Sequence, residues 1–276
     1  MEHPLQAWRD TLDELGVIGL VREQVQTADA VPSAPSQPNP APSSAARSGV
    51  ARPVPAPAAQ PPKAYVPPSD AQGCPPVEVV AAAATLPELQ AAIQGCLACP
   101  LGPGRLKFVF GEGNPRARLM FVGEGPGRDE DLQGRPFVGK AGELLDKMIG
   151  AIGLRREDVY IANVVKCRPP DNRTPAPEEA RACLGYLRRQ IELIGPSVIV
   201  TLGATPLREL VGISEGITRI RGQWKRVSAG GRDIPVMPTF HPAYVLRQYT
   251  QDVRRAVWED LKAAKEWADK AGAPEA

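Results

Sequence analysis

The chain has 276 residues, 33 basic and 31 acidic, with five cysteines and no apolar run near the roughly 20 residues that a membrane helix requires. It also lacks the basic start and apolar stretch of a secretory signal, so the expected location is cytoplasmic, with no membrane partner. In a reducing compartment five cysteines are not expected to build a disulfide framework, and any clustering among them points to metal or redox chemistry.

Leu5, Trp8, Leu12, Leu15 and Val17 recur at nearly helical spacing between charged residues, which predicts a short amphipathic helix within residues 1–27. Such a helix docks on a protein partner or folds back on its own chain. Residues 28–85 read as a disordered linker: from Val31 to Pro76 the sequence is dominated by Pro, Ala and Ser with Tyr65 as the only aromatic, too little apolar surface to offset the entropy of ordering. Residues 86–276 are expected to form one domain, long enough for a single core. They carry 28 basic against 23 acidic residues, a modest excess compatible with a polyanionic partner and shared by many proteins without one.

Within that domain Leu119 to Val122, Val159 to Val165, Val198 to Leu202 and Ile234 to Pro238 read as strands. Ala141 to Ile152, Pro177 to Ile194 and Asp252 to Lys270 have helical periodicity. The alternation predicts an α/β fold, a three-layer α/β/α sandwich around a mostly parallel central sheet, preceded by the disordered N-terminal extension. In such sheets ligands bind beyond the carboxyl ends of the strands. Three segments with unusual chemistry follow strands: Gly123-Glu124-Gly125-Pro126-Gly127, Lys166-Cys167-Arg168-Pro169-Pro170 and Thr239-Phe240-His241-Pro242. One pocket can collect all three.

Cys96 and Cys99 form a C-x2-C pair, Cys167 follows the second strand, and Cys183 lies sixteen residues further on, in a predicted helix. Four thiolates suit zinc or an iron–sulfur cluster, and here the last two come from separate elements, so the centre would fasten the domain's N-terminal edge to its middle. The bland alternative is a chance pair beside a small core cysteine. Cys74 lies in the Pro-rich stretch and is read as a free thiol outside the set.

The run from Gly123 to Gly139, which carries Glu124, Glu130 and Arg135-Pro136-Phe137-Val138-Gly139, resembles the first motif of the family 4 uracil-DNA glycosylases. Asn163-Val164-Val165-Lys166-Cys167-Arg168-Pro169-Pro170-Asp171-Asn172-Arg173 resembles the second motif, and His241-Pro242-Ala243-Tyr244-Val245-Leu246-Arg247 the third. The likeness spans roughly residues 86 to 262 and places Cys96, Cys99, Cys167 and Cys183 where that family holds a 4Fe-4S cluster.

The resemblance implies an enzyme that flips uracil out of DNA, single- or double-stranded, and hydrolyses its N-glycosidic bond to start base excision repair. In that reading Phe137 stacks on the flipped base, Asn163 reads its edge and rejects cytosine, and neutral His241 stabilises the departing anion through O2. Glu124 orients the attacking water or complements positive charge on the sugar. Gly123, Gly125 and Pro126 line the uracil site, and Glu130 occupies the space of a thymine methyl. Arg168, Arg173, Arg219, Arg221, Lys225, Arg226 and Arg247 are candidates for phosphate contacts, and Leu246 for the wedge that fills the vacated stack. The cluster is expected to hold the base-reading loop rigid, and the enzyme to act as a monomer.

Three other readings compete. A relative that traps uracil-containing DNA through a histidine in an extra basic loop is disfavoured, because Arg168 to Pro177 has no insertion and no histidine. A catalytically silent iron–sulfur DNA-binding module is disfavoured by the intact Glu124, Phe137, Asn163 and His241. A zinc-bound structural protein would be colourless, which an absorption spectrum decides.

Overall fold

The structure, a computed structural model, describes residues 73–271. The amphipathic segment of residues 1–27 and most of the Pro-rich stretch lie outside the described residues.

Hydrophobic periodicity of two builds the central strands. In β2 (Leu119–Gly123) every residue is buried, with Met120 and Val122 on one face of the sheet and Leu119 and Phe121 on the other. β3 (Tyr160–Asn163) and β4 (Val198–Leu202) are likewise buried throughout, as strands covered on both faces must be. Together with β1 (Glu112–Gly113), β5 (Lys225–Ala229) and β6 (Arg232–Thr239) they form one six-stranded sheet in the order β1-β3-β2-β4-β6-β5. The inner strands β3, β2, β4 and β6 run parallel; β1 and β5 are antiparallel edges. The strand predicted over 159–165 is shorter than expected, because Val164 and Val165 donate to Gly123 and Glu124 carbonyls as the chain leaves the sheet.

One face of the sheet is covered by α2 (Leu86–Ile93) and α6 (Pro177–Ile194), with Leu210 of α7 (Ala204–Val211). The other is covered by α5 (Lys140–Ala151), α9 (Pro242–Arg247) and α10 (Gln251–Lys270). The three-layer sandwich is thus the observed architecture. Pro177 opens α6 at a position where its missing N–H costs nothing, and Gly195 closes the helix in the left-handed conformation. Thr250 caps α10 by accepting from Val253 N.

Part of the stretch read as linker is folded. Val77–Ala82 forms α1, Ala83 is buried, and its carbonyl accepts from the Arg189 guanidinium on α6. A long-range cation on the domain holds this segment, a contact that local composition does not reveal. The remaining short helices are α3 (Leu101–Gly104), α4 (Arg128–Gln133) and α8 (Ile217–Ile220).

The chain runs from β2 to β3 on one side and then to β4 on the other side of β2, so connections diverge where β2 and β4 meet. Such a divergence opens a crevice at the carboxyl ends of the strands.

Candidate active site

A cleft of about 770 Å³ lies in that crevice, walled by the segments following β2, β3, β4 and β6. Glu124, Gly125, Pro126, Phe137, Asn163 and His241 all line it, so the three motifs converge as expected. The segment after β4, Gly203-Ala204-Thr205, also lines the cleft and was not anticipated from sequence.

Phe137 is buried and adopts a positive φ of 51°, a conformation that costs a side-chain-bearing residue energy unless its surroundings impose it. The peptides around it are pinned from two directions. Arg156 donates to the Phe137 carbonyl at 3.1 Å and to the Pro136 carbonyl, while Glu130 accepts from Val138 N at 2.9 Å and Gly139 N at 3.0 Å. Arg156 is itself held by Glu112 and Asp146. A side chain at position 142 would collide with the Phe137 carbonyl, at 1.9 Å, so the first turn of α5 carries a glycine packed under the clamp. The Phe137 ring ends 5.7 Å from the His241 ring, tilted by 32°.

Asn163 ends β3 at 1% exposure, and its Oδ1 has no hydrogen-bond partner among the described residues. A buried amide oxygen left unpaired costs about 1–3 kcal/mol, so this acceptor in the cleft wall suits a ligand that carries a donor. Gly123 makes the room: a Cβ there would lie 2.4 Å from Asn163 Oδ1 and 2.5 Å from the Phe137 ring. Gly123 therefore acts beneath the site, whereas Gly125 and Pro126 form its wall. Gly125 also packs on Val165, where a side chain would clash.

His241 is the N-cap of α9 and accepts from Ala243 N at Nδ1, 3.1 Å. The ring proton of the neutral imidazole is thereby placed on Nε2, free to donate into the cleft. Burial, and next the neighbouring Arg247 charge, push its pKa down to about 4, against a smaller upward pull from Glu130. The imidazole is thus neutral at physiological pH.

Glu124 Oε2 accepts from Thr205 Oγ1 at 2.5 Å, a bond that spans the divergence between β2 and β4. One carboxylate oxygen is oriented and the side chain still borders the cleft. Glu130 has the opposite fate. Its oxygens receive Gly127 N, Val138 N and Gly139 N, so it organises the loop while bordering the cleft.

Of the candidate phosphate contacts, Arg173 and Arg247 line the cleft, and Arg168 beside it donates to Asn172 Oδ1. The Arg173 fork is engaged by Glu179, the residue that also accepts from Ala176 N at the start of α6. Leu246 is 42% exposed, as a wedge requires. Arg221 departs from the expectation: it donates to buried Asp260 and to the Ala256 carbonyl, tying the chain before β5 to α10. Its charge is spent inside the fold because Asp260 there needs a counter-ion.

Behind the cleft, Cys96, Cys167 and Cys183 are buried and Cys99 partly so. Cys183 is an electrostatic neighbour of Cys167 and Cys99, and Cys167 of Cys99 and Cys96, so the four thiols lie near one another. Burial raises the pKa of Cys99, that of Cys167 to about 11, and that of Cys183 further; a bound metal centre would displace those protons. Arg105 donates to Cys167 Sγ at 3.5 Å and to the Cys96 carbonyl, and the Tyr186 hydroxyl lies 3.1 Å from Cys96 Sγ. Cys74 is not remote from this group. Gly73 O accepts from Leu97 N, and the Cys74 thiol lies beside Tyr186.

Among the described residues no three His, Cys, Asp or Glu side chains are gathered into a site for one metal ion. The donor set nonetheless fits a polynuclear iron–sulfur cluster, which takes four thiolates from separated elements. Lys166 supports that fit: it is wholly buried, its ammonium reaches only neutral oxygens, and the titratable groups acting on it are Cys183 and Cys167. A buried cation needs an anion, and thiolates are the anions at hand.

The model of the uracil DNA glycosylase superfamily matches residues 110–262. A type-4 uracil-DNA glycosylase of Thermotoga maritima is 53% identical over 184 residues, covering 65% of this chain and 93% of the relative. One from Archaeoglobus fulgidus is 44% identical over 190 residues, 67% of this chain and 94% of the relative, and one from Saccharolobus solfataricus is 45% identical over 179 residues, 63% and 82%. With a doubly wound sheet, a cleft at its divergence and this match, the chain belongs to the uracil-DNA glycosylase superfamily. Within the superfamily it is a member of the type-4 family.

Proposed function

We propose that this protein is a monofunctional uracil-DNA glycosylase that excises uracil, the product of cytosine deamination, from DNA and so starts base excision repair. The observation that carries the reading is the pairing, in one cleft, of a buried Asn163 whose Oδ1 lacks a partner with a His241 held neutral and free to donate from Nε2. Asn163 Oδ1 accepts from uracil N3–H and its amide donates to O4; cytosine presents the reverse pattern at those atoms. Phe137 offers its ring to the flipped base, which leaves the stack to reach the cleft.

Breaking the bond between C1′ and N1 leaves positive charge on the sugar, and the electron pair departs with uracil. His241 donates from Nε2 to uracil O2 and so stabilises that anion where its charge develops. Glu124, oriented by Thr205, complements the sugar charge and aligns the water whose hydroxyl bonds to C1′. The second water proton neutralises the released base, leaving an abasic site.

Arg168, Arg173 and Arg247 hold the phosphates around the flipped nucleotide, and Leu246 fills the gap it leaves. The enzyme acts as a monomer, in the cytoplasm where its DNA substrate lies. Cys96, Cys99, Cys167 and Cys183 would hold a 4Fe-4S cluster. When bound, that cluster supplies a staple between the N-terminal edge of the domain, the loop after β3 and α6.

The test is release of free uracil from a uracil-containing oligonucleotide by anaerobically purified protein. Wild type is expected to release it, and His241→Ala to lose about 10²–10³ in kcat, the usual cost of removing one donor to a developing anion. Asn163→Asp, which places an acceptor opposite O4, is expected to lose most uracil affinity. Absence of release by iron-loaded wild type would sink the proposal in favour of a DNA-binding module without catalysis.

A further inference from the structure

Lys166 is among the largest wholly buried side chains of the molecule. Its Nζ donates to the Asn163 carbonyl at 2.9 Å and to Gln190 Oε1 at 2.6 Å. Gln190 is itself fixed, since its Nε2 donates to the Phe110 carbonyl and to the Tyr160 hydroxyl, so its oxygen is aimed at the ammonium. No carboxylate pairs with Lys166 among the described residues. The next residue in the chain is Cys167, and Cys183 and Cys167 are the electrostatic neighbours of the ammonium. One residue therefore holds the base-reading strand end with its side chain and adjoins the cysteine group through its main chain.

We infer that Lys166 is a positioning residue that couples the cysteine-held cluster to uracil recognition, its ammonium serving both as buried counter-charge to the cluster and as tether of the Asn163 carbonyl. The inference rests on the iron–sulfur reading above. A cluster ligated by four thiolates carries net negative charge, and at low dielectric a fixed cation beside it is felt strongly. Without that negative charge Lys166 is a buried cation that meets only neutral oxygens, an unfavourable arrangement that is relieved when the side chain leaves them. That displacement weakens the tether of Asn163, whose amide reads the base. Arg105 also donates to a cysteine sulfur, but it is partly exposed and solvent screens it. The two cations therefore differ: Arg105 fastens the ligand loop at the surface, and Lys166 links the ligands to the substrate pocket.

The experiment compares iron-loaded wild type, Lys166→Met and Gln190→Leu, purified anaerobically. Lys166→Met keeps the volume and removes the charge, a change that buried sites often tolerate. Its reduction potential is expected to move to more negative values, because the oxidised cluster loses the cation that favours an added electron. Its iron is expected to be lost to a chelator about tenfold faster or more, in line with removal of a partner next to metal ligands. Uracil release is expected to suffer mainly through weaker binding, read as a lower affinity for free uracil as inhibitor. Gln190→Leu keeps the charge and should leave the potential near the wild-type value. A Lys166→Met protein with unchanged potential and iron retention would overturn the inference, as would equal shifts in both variants, which mark a packing effect.

Should Lys166→Met fail to fold, wild type stripped of iron puts the same question. Hydrogen exchange at residues 163–167 is expected to rise and free-uracil affinity to fall; unchanged exchange there overturns the coupling. Active wild type that never holds iron would instead sink the cluster reading itself.

Discussion

In the uracil cleft, one buried polar atom, Asn163 Oδ1, is left without a partner among the described residues, while the backbone around it is heavily secured. In the cysteine lobe behind it, a whole positive charge is buried with neutral oxygens and thiols as its surroundings. The first pattern suits a neutral ligand that supplies complementary hydrogen bonds. The second suits an anion. The same fold thus prepares two different occupants, and the loop from Asn163 to Cys167 belongs to both.

Changes outside both regions should affect stability alone, and Asp260 gives the largest expected effect. It is buried, receives Arg221 and the Thr239 hydroxyl at 2.7 Å, and joins the end of β6 to α10. Asp260→Ala strands Arg221 and is expected to cost about 3–5 kcal/mol in urea unfolding. Unchanged iron content per folded chain would then set this effect apart from the cysteine lobe.

Arg156→Ala probes the security of the cleft backbone. It removes charge-assisted bonds to the Pro136 and Phe137 carbonyls, and a loss of about 2–3 kcal/mol, roughly 30- to 160-fold in kcat/KM, is expected. Because Arg156 acts through Phe137, the same change in a Phe137→Ala background should cost little; additive losses would show that it acts elsewhere.

Thr205→Val releases the Glu124 carboxylate. About 1.5 kcal/mol, roughly tenfold in kcat with little change in KM, is expected, since the other carboxylate contacts with solvent persist.

The smallest effect concerns pH. With the folded pKa of His241 near 4 and an ordinary value near 6.5, the unfolded chain binds more protons between those limits. Stability from this group is full above pH 6.5 and declines as pH falls toward 4. Uracil release should therefore show no His241 inflection near 6.5 and should fall only near 4. Arg247→Met, by removing a neighbouring positive charge, should move that inflection upward while burial keeps it below the ordinary value.

Much of this architecture is legible along the chain. β2 and β4 announce themselves as continuous apolar runs because both sheet faces are covered, and α6 and α10 show helical periodicity because each buries one stripe. The site residues were legible as motifs, and Glu124, Phe137, Asn163 and His241 do share a cleft. Glu130 shows the limit of that reading: its place in the motif is visible, but its engagement by three backbone N–H groups depends on how two loops meet. The segment after β4 went unread since Gly203-Ala204-Thr205 has no distinctive chemistry until Thr205 faces Glu124.

The sequence by itself determined the layered α/β class, the converging motifs and the cysteine set, because local periodicity and residue chemistry carry that information. Only the tertiary structure decided how charges are spent. Arg221 pairs with Asp260 across 39 positions of sequence, and Lys166 turns inward to Gln190 across 24. A charge's partner is set by distance and burial in space, which no local pattern encodes.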